Sequence, residues 1–448
     1  EKQYFFLYLD QKLKIKNKML DINFIKDNQK IVEKACTNKG LNPNVVTNLL
    51  EIDVKRRELM GAVQGLRAKR NTLNESLKKE RTDDLLSQAA EQKKDLQNIE
   101  PQLRQVEAEF GALMLQIPNV PLEDVPVGKD ESGNKKLKDW GKKPKFDFEP
   151  KDHIELGTSL DILDLDRGSK VAGFRGYYLK NDGVLMQNAL MQFSLKKFIE
   201  KGFTPVIPPV INRRSAFVNS GHFPWGESEA YKLAEDETDP ENDYFLAGTA
   251  EVPLVSMYAG ETLKEKDLPI KMVGYSPCYR REIGSYGKDT KGFYRVHEFT
   301  KIEQVVLCKN DLEVSKKWHE KMLEFSEEIL QELGLHYQVL LMCTGDMGEP
   351  QAKKYDLEAW MPGRDDYGET GSDSIMTDFQ SRRANIKYVA SNGETKFVHM
   401  LNNTALPSVR VLIAIWETYQ QKDGSIKIPP VLVPYMGKEV ITSEKKDK

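Results

Sequence analysis

The sequence predicts an α+β protein in two parts: an N-terminal antiparallel two-helix coiled-coil arm, then a larger domain with a mostly antiparallel β-sheet flanked by helices. Three observations carry this expectation. Apolar residues recur at heptad spacing in two runs separated by a polar break, Ile52 to Leu77 and Leu96 to Ile117. Past residue 145, short alternating apolar runs bounded by turn residues are interspersed with longer helical patterns. Neither a G-x-x-x-x-G-K-[ST] run nor a G-x-G-x-x-G opening a helix is present, so a P-loop or a Rossmann domain is not supported.

Composition sets outer limits. At 448 residues, a prior of roughly 100–200 residues per domain suggests two or three domains. A net charge of −3 with 30% charged residues excludes a globally basic nucleic-acid binder and leaves room for a local basic stripe. No apolar run approaches the ~20 residues that cross a bilayer, so no membrane partner is expected. Cys36, Cys278, Cys308 and Cys343 lack C-x-x-C spacing, which suggests neither a disulfide framework nor a cysteine zinc site and fits a cytoplasmic location. Residues 1–18 hold the apolar patch Tyr4-Phe5-Phe6-Leu7-Tyr8-Leu9 without a basic lead or a small-residue cleavage site. They read as an extension before Met19 and not as a signal peptide.

Taken in order, residues 20–40 read as one short helix with Gly40 at its C-terminus. The first heptad run follows, with Ile52, Leu59, Leu66 and Leu73 every seventh residue; Thr82-Asp83-Asp84 breaks it; Leu96, Leu103, Phe110 and Ile117 form the second, with Ile99, Val106 and Leu113 between them. At ~1.5 Å per residue each helix spans several tens of Å. Pro101 is expected to kink the second. Along the arm stand Lys55, Arg56, Arg67, Lys69, Arg70, Lys78 and Lys79. Charge alone fits a solvated coiled-coil surface, or a phosphate-binding face for structured RNA. The arm is assigned to residues 19–128, a charged linker to residues 128–141, and the second domain to residues 145–440.

In that domain, residues 186–199 read as a helix running into the extended Thr204-Pro205-Val206-Ile207-Pro208-Pro209. Tyr244-Phe245-Leu246 leads to Gly248-Thr249-Ala250-Glu251 and a helix, where Thr249 serves equally well as an N-cap. Residues 272–279 read as one strand of a hairpin. Tyr279-Arg280-Arg281-Glu282 and the loop Gly284-Ser285-Tyr286-Gly287 connect it to a second strand through Phe293-Tyr294-Arg295-Val296-His297-Glu298-Phe299 and on to Val306. Period-two alternation puts Phe299 and Glu303 on one face, and a carboxylate in an apolar strand implies a cationic visitor. A helix over residues 311–333 follows, then strands near 337–342, 355–360 and 397–401, with a polar loop at Glu369-Thr370-Gly371-Ser372. The last helix, residues 408–421, carries Arg410 near its N-terminus, where the helix dipole disfavours a cation and an anion is expected beside it.

Two arginines, Arg280 and Arg410, facing one cavity can stabilise charge developing at phosphorus. Glu369 and Ser372 offer hard oxygen donors suited to Mg²⁺. Each alone fits a surface loop residue equally well; only the combination points to chemistry.

The hairpin around Arg280-Arg281-Glu282 and Arg295 to Phe299 resembles motif 2 of the class II aminoacyl-tRNA synthetases, the helix before Pro208-Pro209 resembles motif 1, and Leu401-Asn402-Asn403-Thr404 through Arg410 resembles motif 3. Gly248 to Glu251, Asp378-Phe379-Gln380 and the helical arm resemble the seryl members of that class. The likeness runs from Met19 to about Met436. It implies a class II catalytic domain that activates L-serine with ATP and transfers it to tRNA-Ser, with tRNA-Sec a further acceptor, in a cytoplasmic homodimer. By position, Arg280 and Arg410 would be catalytic. Arg280, Arg281, Glu282, Arg295, Phe299, Glu369, Thr370, Gly371, Ser372 and Arg410 would hold ATP. Thr249, Ala250, Glu251, Arg280, Glu303 and Thr404 would hold serine, and Glu369 and Ser372 would ligate Mg²⁺. The arm cations would bind tRNA. Two stretches depart from the commoner pattern: the motif 3 loop Asn403 to Val409, poorer in glycine with Thr404 in place of a serine, and Glu-Thr-Gly-Ser-Asp-Ser in place of paired serines. The alternative is a catalytically silent paralogue that binds tRNA; the presence of Arg280 and Arg410 argues against it.

Overall fold

The computed structural model describes residues 20–234, 243–283 and 292–443, and forms two compact units that meet in sequence at Pro118 and Asn119. The extension before Met19 and the loop Gly284-Ser285-Tyr286-Gly287 lie outside the described residues.

The first unit is helical. The single helix expected over residues 20–40 is instead two, α1 (Ile22–Asp27) and α2 (Gln29–Asn38). Asn28 parts them, with a non-helical φ of −125° and its side-chain amide on the Phe24 carbonyl. Asparagine competes for backbone groups in this way and so favours helix boundaries. The arm consists of α3 (Asn44–Lys79) and α4 (Asp83–Leu115). Its ends obey charge and capping rules: Lys78 and Lys79 lie in the last turn of α3, and the Thr82 hydroxyl accepts the Leu85 amide at the start of α4, next to Asp83 and Asp84. Val63, Leu96, Val106 and Met114 are buried in the seam, with Leu59, Leu66, Leu103 and Phe110 half-buried beside them. Pro101 does not break α4. The proline lies on the exposed face, so the Gln97 carbonyl that loses its amide partner also faces water.

The second unit is built on an eight-stranded sheet. Its strands are β1 (Lys135–Trp140), β2 (Thr204–Val206), β3 (Ile270–Tyr279), β4 (Glu298–Cys308), β5 (Tyr337–Leu341), β6 (Lys353–Met361), β7 (Asp366–Thr377) and β8 (His399–Pro407), in the order β1-β5-β6-β7-β8-β4-β3-β2. All neighbours are antiparallel except β2 beside β3. Three expectations need correction. The charged stretch read as linker contains β1, whose residues are all exposed; a lysine-rich strand is suited to a sheet edge. The second hairpin strand begins at Glu298 and not at Phe293, because Phe293 stacks on Trp416 with ring centres 5.3 Å apart and draws that segment into the core. Glu369 to Ser372 lie within β7 and not in a loop.

Four further helices frame the sheet: α5 (Asn181–Glu200), α6 (Glu251–Ser256), α7 (Leu312–Glu332) and α8 (Phe379–Ala384); α9 (Ser408–Tyr419) follows β8 directly. In α9 all residues from Val411 to Trp416 are buried, as expected of a helix apolar on every side. The alternation of β8 separates two environments. Asn403 points to α7, bonding the Met322 carbonyl and the Ser326 hydroxyl, while Thr404 points to the opposite face and bonds Glu303. That opposite face carries the cleft described next.

Candidate active site

The cleft is lined by Arg280 and Glu282 after β3, Tyr294 to Val296, Phe299 and Lys301 on β4, Glu369 on β7, Thr404 and Pro407 on β8, and Val409 and Arg410 on α9. Antiparallel neighbours and the β8-to-α9 junction thus bring together residues more than a hundred positions apart.

One end is a small polar pocket. Thr249, just before α6, accepts the Glu251 amide at 3.2 Å and donates to Glu303 Oε2 at 3.3 Å, so it serves the helix start and the pocket at once. Glu251 is buried, and its Oε1 accepts from Gln380 Nε2 at 2.6 Å and Asn402 Nδ2 at 2.8 Å. Burial, then the nearby Glu303 charge, pushes its pKa up to about 7. Thr404 donates to Glu303 Oε2 at 3.0 Å, so the substitution in the motif 3 loop keeps the hydroxyl in contact. His222 stands 3.9 Å from Glu251 Oε2; burial, then Arg280 and Lys301, lowers its pKa to about 3 and leaves it neutral.

The other end is rich in paired charges. Arg280 donates to the Gly248 carbonyl at 3.2 Å, and its guanidinium lies 5.4 Å from the Phe299 ring centre. Glu282 takes Arg295 at 3.0 Å and Arg175 at 3.7 Å. Its φ of +55° places it in a region costly for a non-glycine residue. Arg410 donates to Glu369 Oε2 at 2.9 Å and packs 4.6 Å from the Tyr294 ring centre, so the carboxylate expected beside an N-terminal cation comes from the protein itself. Burial raises the Glu369 pKa, but the Arg410 charge, followed by Lys354, outweighs it and holds the carboxyl at about 2. The β6–β7 register slips between Leu357 and Glu358, leaving Thr370 as the extra residue. Glu369 and Ser372, three apart and otherwise on opposite faces, thereby both come near Asp356.

The predicted residues therefore divide. Arg280, Glu282, Arg295, Phe299, Glu369, Thr404 and Arg410 line the cleft. Thr249, Glu251 and Glu303 form the adjoining pocket. Arg281 is tied to the Ser228 and Glu229 carbonyls and does not line the cleft. Thr370 is buried with its hydroxyl on the Leu357 carbonyl. Gly371 leaves room between strands, since a Cβ there would meet the Thr404 carbonyl at 3.2 Å. Ala250 packs in the core below. On the arm, Arg56 is bound to Asp53 at 2.6 Å and lies 4.4 Å from the Phe110 ring centre, which makes it part of the seam. Arg67 pairs with Glu100 and Lys78 with Glu75, whereas Lys55, Lys69, Arg70 and Lys79 are exposed.

Sequence reasoning missed Lys301, Gln380, Asn402, Tyr294, Arg175 and Asp356. Lys301 had a legible signal: it lies between Phe299 and Glu303 on the same alternating face. Gln380 and Asn402 stand in stretches that carry the family likeness, but their role was not assigned, because it arises from the tertiary approach of α8 and β8 to Glu251.

Known proteins match this architecture in the same order. Residues 231–419 match the model of the tRNA synthetase class II core domain (G, H, P, S and T), so the antiparallel sheet and its arginine-lined cleft are those of a class II aminoacyl-tRNA synthetase. Residues 19–121 match the seryl-tRNA synthetase N-terminal domain. The chain is 41% identical over 425 residues to the serine–tRNA ligase of Deinococcus radiodurans, covering 94% of this chain and 98% of that protein. It is 42% identical over 428 residues to that of Borrelia garinii, with 94% and 98% covered. The crystal structure of seryl-tRNA synthetase from Pyrococcus horikoshii complexed with ATP superposes with a TM-score of 0.86 at 38% identity, covering 95% of this chain and 100% of that one. The chain belongs to the seryl-tRNA synthetase family.

Proposed function

We propose that this protein activates L-serine with ATP to seryl-adenylate and transfers the seryl group to tRNA-Ser, releasing diphosphate and AMP. The observation that carries this reading is the junction of two environments: a pocket of two carboxylates and two threonine hydroxyls, Glu251, Glu303, Thr249 and Thr404, opens beside a cleft holding Arg280 and Arg410. A buried carboxylate suits an ammonium group, and polar partners, Glu303 among them, suit a hydroxyl whose loss would leave buried groups unpaired. Arg280 stands next to both regions and reaches the amino-acid carboxylate and the α-phosphate. Phe299 offers a stacking face for adenine and Glu282 an acceptor for its amino group. Arg295 and Arg410 bind the outer phosphates.

The substrate carboxylate attacks the α-phosphorus and diphosphate leaves; the terminal ribose hydroxyl of tRNA then attacks the acyl carbon and AMP leaves. Positioning and charge stabilisation by the arginines supply the rate, without a proton-transfer residue from the protein in the first step. Glu369 and Ser372 fit Mg²⁺, since the first remains a carboxylate at neutral pH and both offer hard oxygen donors on one side of β7. The ion would neutralise phosphate charge there. Residues 19–128 form the tRNA-binding arm and residues 145–440 the catalytic domain in this reading, with Lys69, Arg70 and Lys79 outward on the arm. The exposed apolar residues Val184, Leu185, Ile207 and Ile211 support a homodimer. A cytoplasmic setting is part of the same proposal.

Amino-acid-dependent exchange of diphosphate into ATP across a panel of amino acids tests this reading. Serine alone should support exchange, and Arg280→Ala should abolish it. Exchange with another amino acid in preference to serine, or full activity in R280A, would overturn it.

A further inference from the structure

We infer that Lys301 is a positioning residue that sets the hydroxyl specificity of the amino-acid pocket by holding Glu303 through one carboxylate oxygen and reserving the other for substrate. This rests on the serine-binding reading of the pocket and assigns it a residue that the motif comparison left out.

The Lys301 side chain is only 3% exposed, and a buried ammonium persists only when its donors are met. Here all three are. Nζ lies 2.7 Å from Thr249 Oγ1, 2.9 Å from Thr404 Oγ1 and 2.5 Å from Glu303 Oε2. Both hydroxyls, having accepted from Lys301, donate to the same Glu303 Oε2, at 3.3 Å and 3.0 Å. The result is two closed circuits sharing one ammonium and one carboxylate oxygen. An ammonium has three N–H bonds. With three acceptors it has none left for a substrate carboxylate or phosphate, although Lys301 lines the cleft. It acts through its neighbours.

The consequence falls on Glu303. Three donors converge on Oε2, which fixes the plane of the carboxylate, and all the hydrogen bonds and ion pairs that Glu303 makes through its side chain among the described residues end on that oxygen and not on Oε1. Oε1 is thereby the acceptor offered to a substrate hydroxyl. An amino acid without a hydroxyl leaves it unpaired, which is the strongest form of discrimination open to a small pocket. Removing the ammonium frees both threonine hydroxyls and lets Glu303 present either oxygen.

The experiment compares wild type, K301M, K301R, E303Q and the double variant K301M/E303Q in amino-acid-dependent exchange. Serine-dependent exchange in the wild type comes first: its absence would overturn the proposed function and not the role of Lys301. In K301M, which keeps length and volume, the KM for serine should rise roughly tenfold or more, the magnitude of a charge-assisted hydrogen bond. The KM for ATP should stay within about twofold, and the serine-to-alanine ratio of kcat/KM should fall by roughly tenfold. K301R should lie between wild type and K301M on both measures. K301M/E303Q should lose no more serine affinity than E303Q, because both changes act on the same contact. Calorimetric ATP binding checks folding; if K301M does not bind ATP, K301R carries the test, with a raised serine KM and reduced discrimination expected at unchanged ATP KM. Equal rises in the KM for serine and ATP, or unchanged discrimination in the variant that binds ATP, would overturn the inference.

Discussion

Glu251 makes pH act in opposite directions on stability and on substrate binding. Its folded pKa of about 7 stands above its ordinary 4.5, with burial the main cause and the Glu303 charge the second. The sign follows from proton count: between pH 4.5 and 7 the folded state holds a proton that the unfolded state has released, so stability falls as pH rises through this window. The full difference is on the order of 3 kcal/mol, reached above pH 7. His222, the neutral neighbour with a pKa of about 3, does not titrate in this range, and Lys301 and Arg280 are the nearby cations that partly offset the shift. Binding of the amino-acid ammonium requires the carboxylate, so affinity should rise over the same interval. The assay pairs wild type with Glu251→Gln, which keeps the neutral shape. Thermal unfolding from pH 5 to 8 should show wild type losing stability relative to E251Q, while calorimetric serine binding without ATP should strengthen in wild type only. Parallel unfolding curves for the two proteins, with pH-independent serine affinity above pH 5.5, would refute the reasoning.

Three further perturbations follow from the geometry. Replacing Lys69 and Arg70 together by alanine should leave serine-dependent exchange intact while raising the KM for tRNA in charging. The salt dependence should become shallower by roughly one log–log unit for each tRNA phosphate that a cation no longer neutralises; Arg56→Ala should instead lower the melting temperature of the arm, since it removes the Asp53 pair and the Phe110 contact, together about 1–2 kcal/mol. Gly292→Ala should reduce folded yield and melting temperature, because Gly292 has a φ of +67° and a Cβ there would collide with His153 Nε2; a variant with wild-type melting would show that the segment leading to Phe293 repacks freely.

What the sequence revealed was governed by range. Heptads are local, so the two arm helices and the break between them were legible, although α3 and α4 begin at Asn44 and Asp83, well ahead of the first heptad positions; α7 was legible nearly to the residue. Arg410 could be identified because a cation at a helix N-terminus calls for an anion, and Arg280 because the hairpin that carries it resembles motif 2. β1 was misread because edge strands carry lysines for the same reason that linkers do. Glu369 to Ser372 looked like a loop because a Thr-Gly-Ser run signals a turn, while the bulge that accommodates it depends on β6. Lys301 was passed over because a single lysine in a strand is ordinarily a solvated residue; its burial depends on Thr249, which is 52 positions away.

The cleft also supplies its own counter-charges. Arg410 sits on Glu369, Arg295 on Glu282 and Lys301 on Glu303. Apart from Arg280, whose guanidinium bonds the Gly248 carbonyl, the cations here meet a carboxylate of the protein, so small inorganic anions gain little by entering beside them. A nucleotide must trade one set of ion pairs for another, which makes its affinity an exchange energy and not a simple attraction. Competition by free phosphate and the effect of added salt on ATP binding should therefore both be weak, in contrast to an open cluster of unpaired arginines.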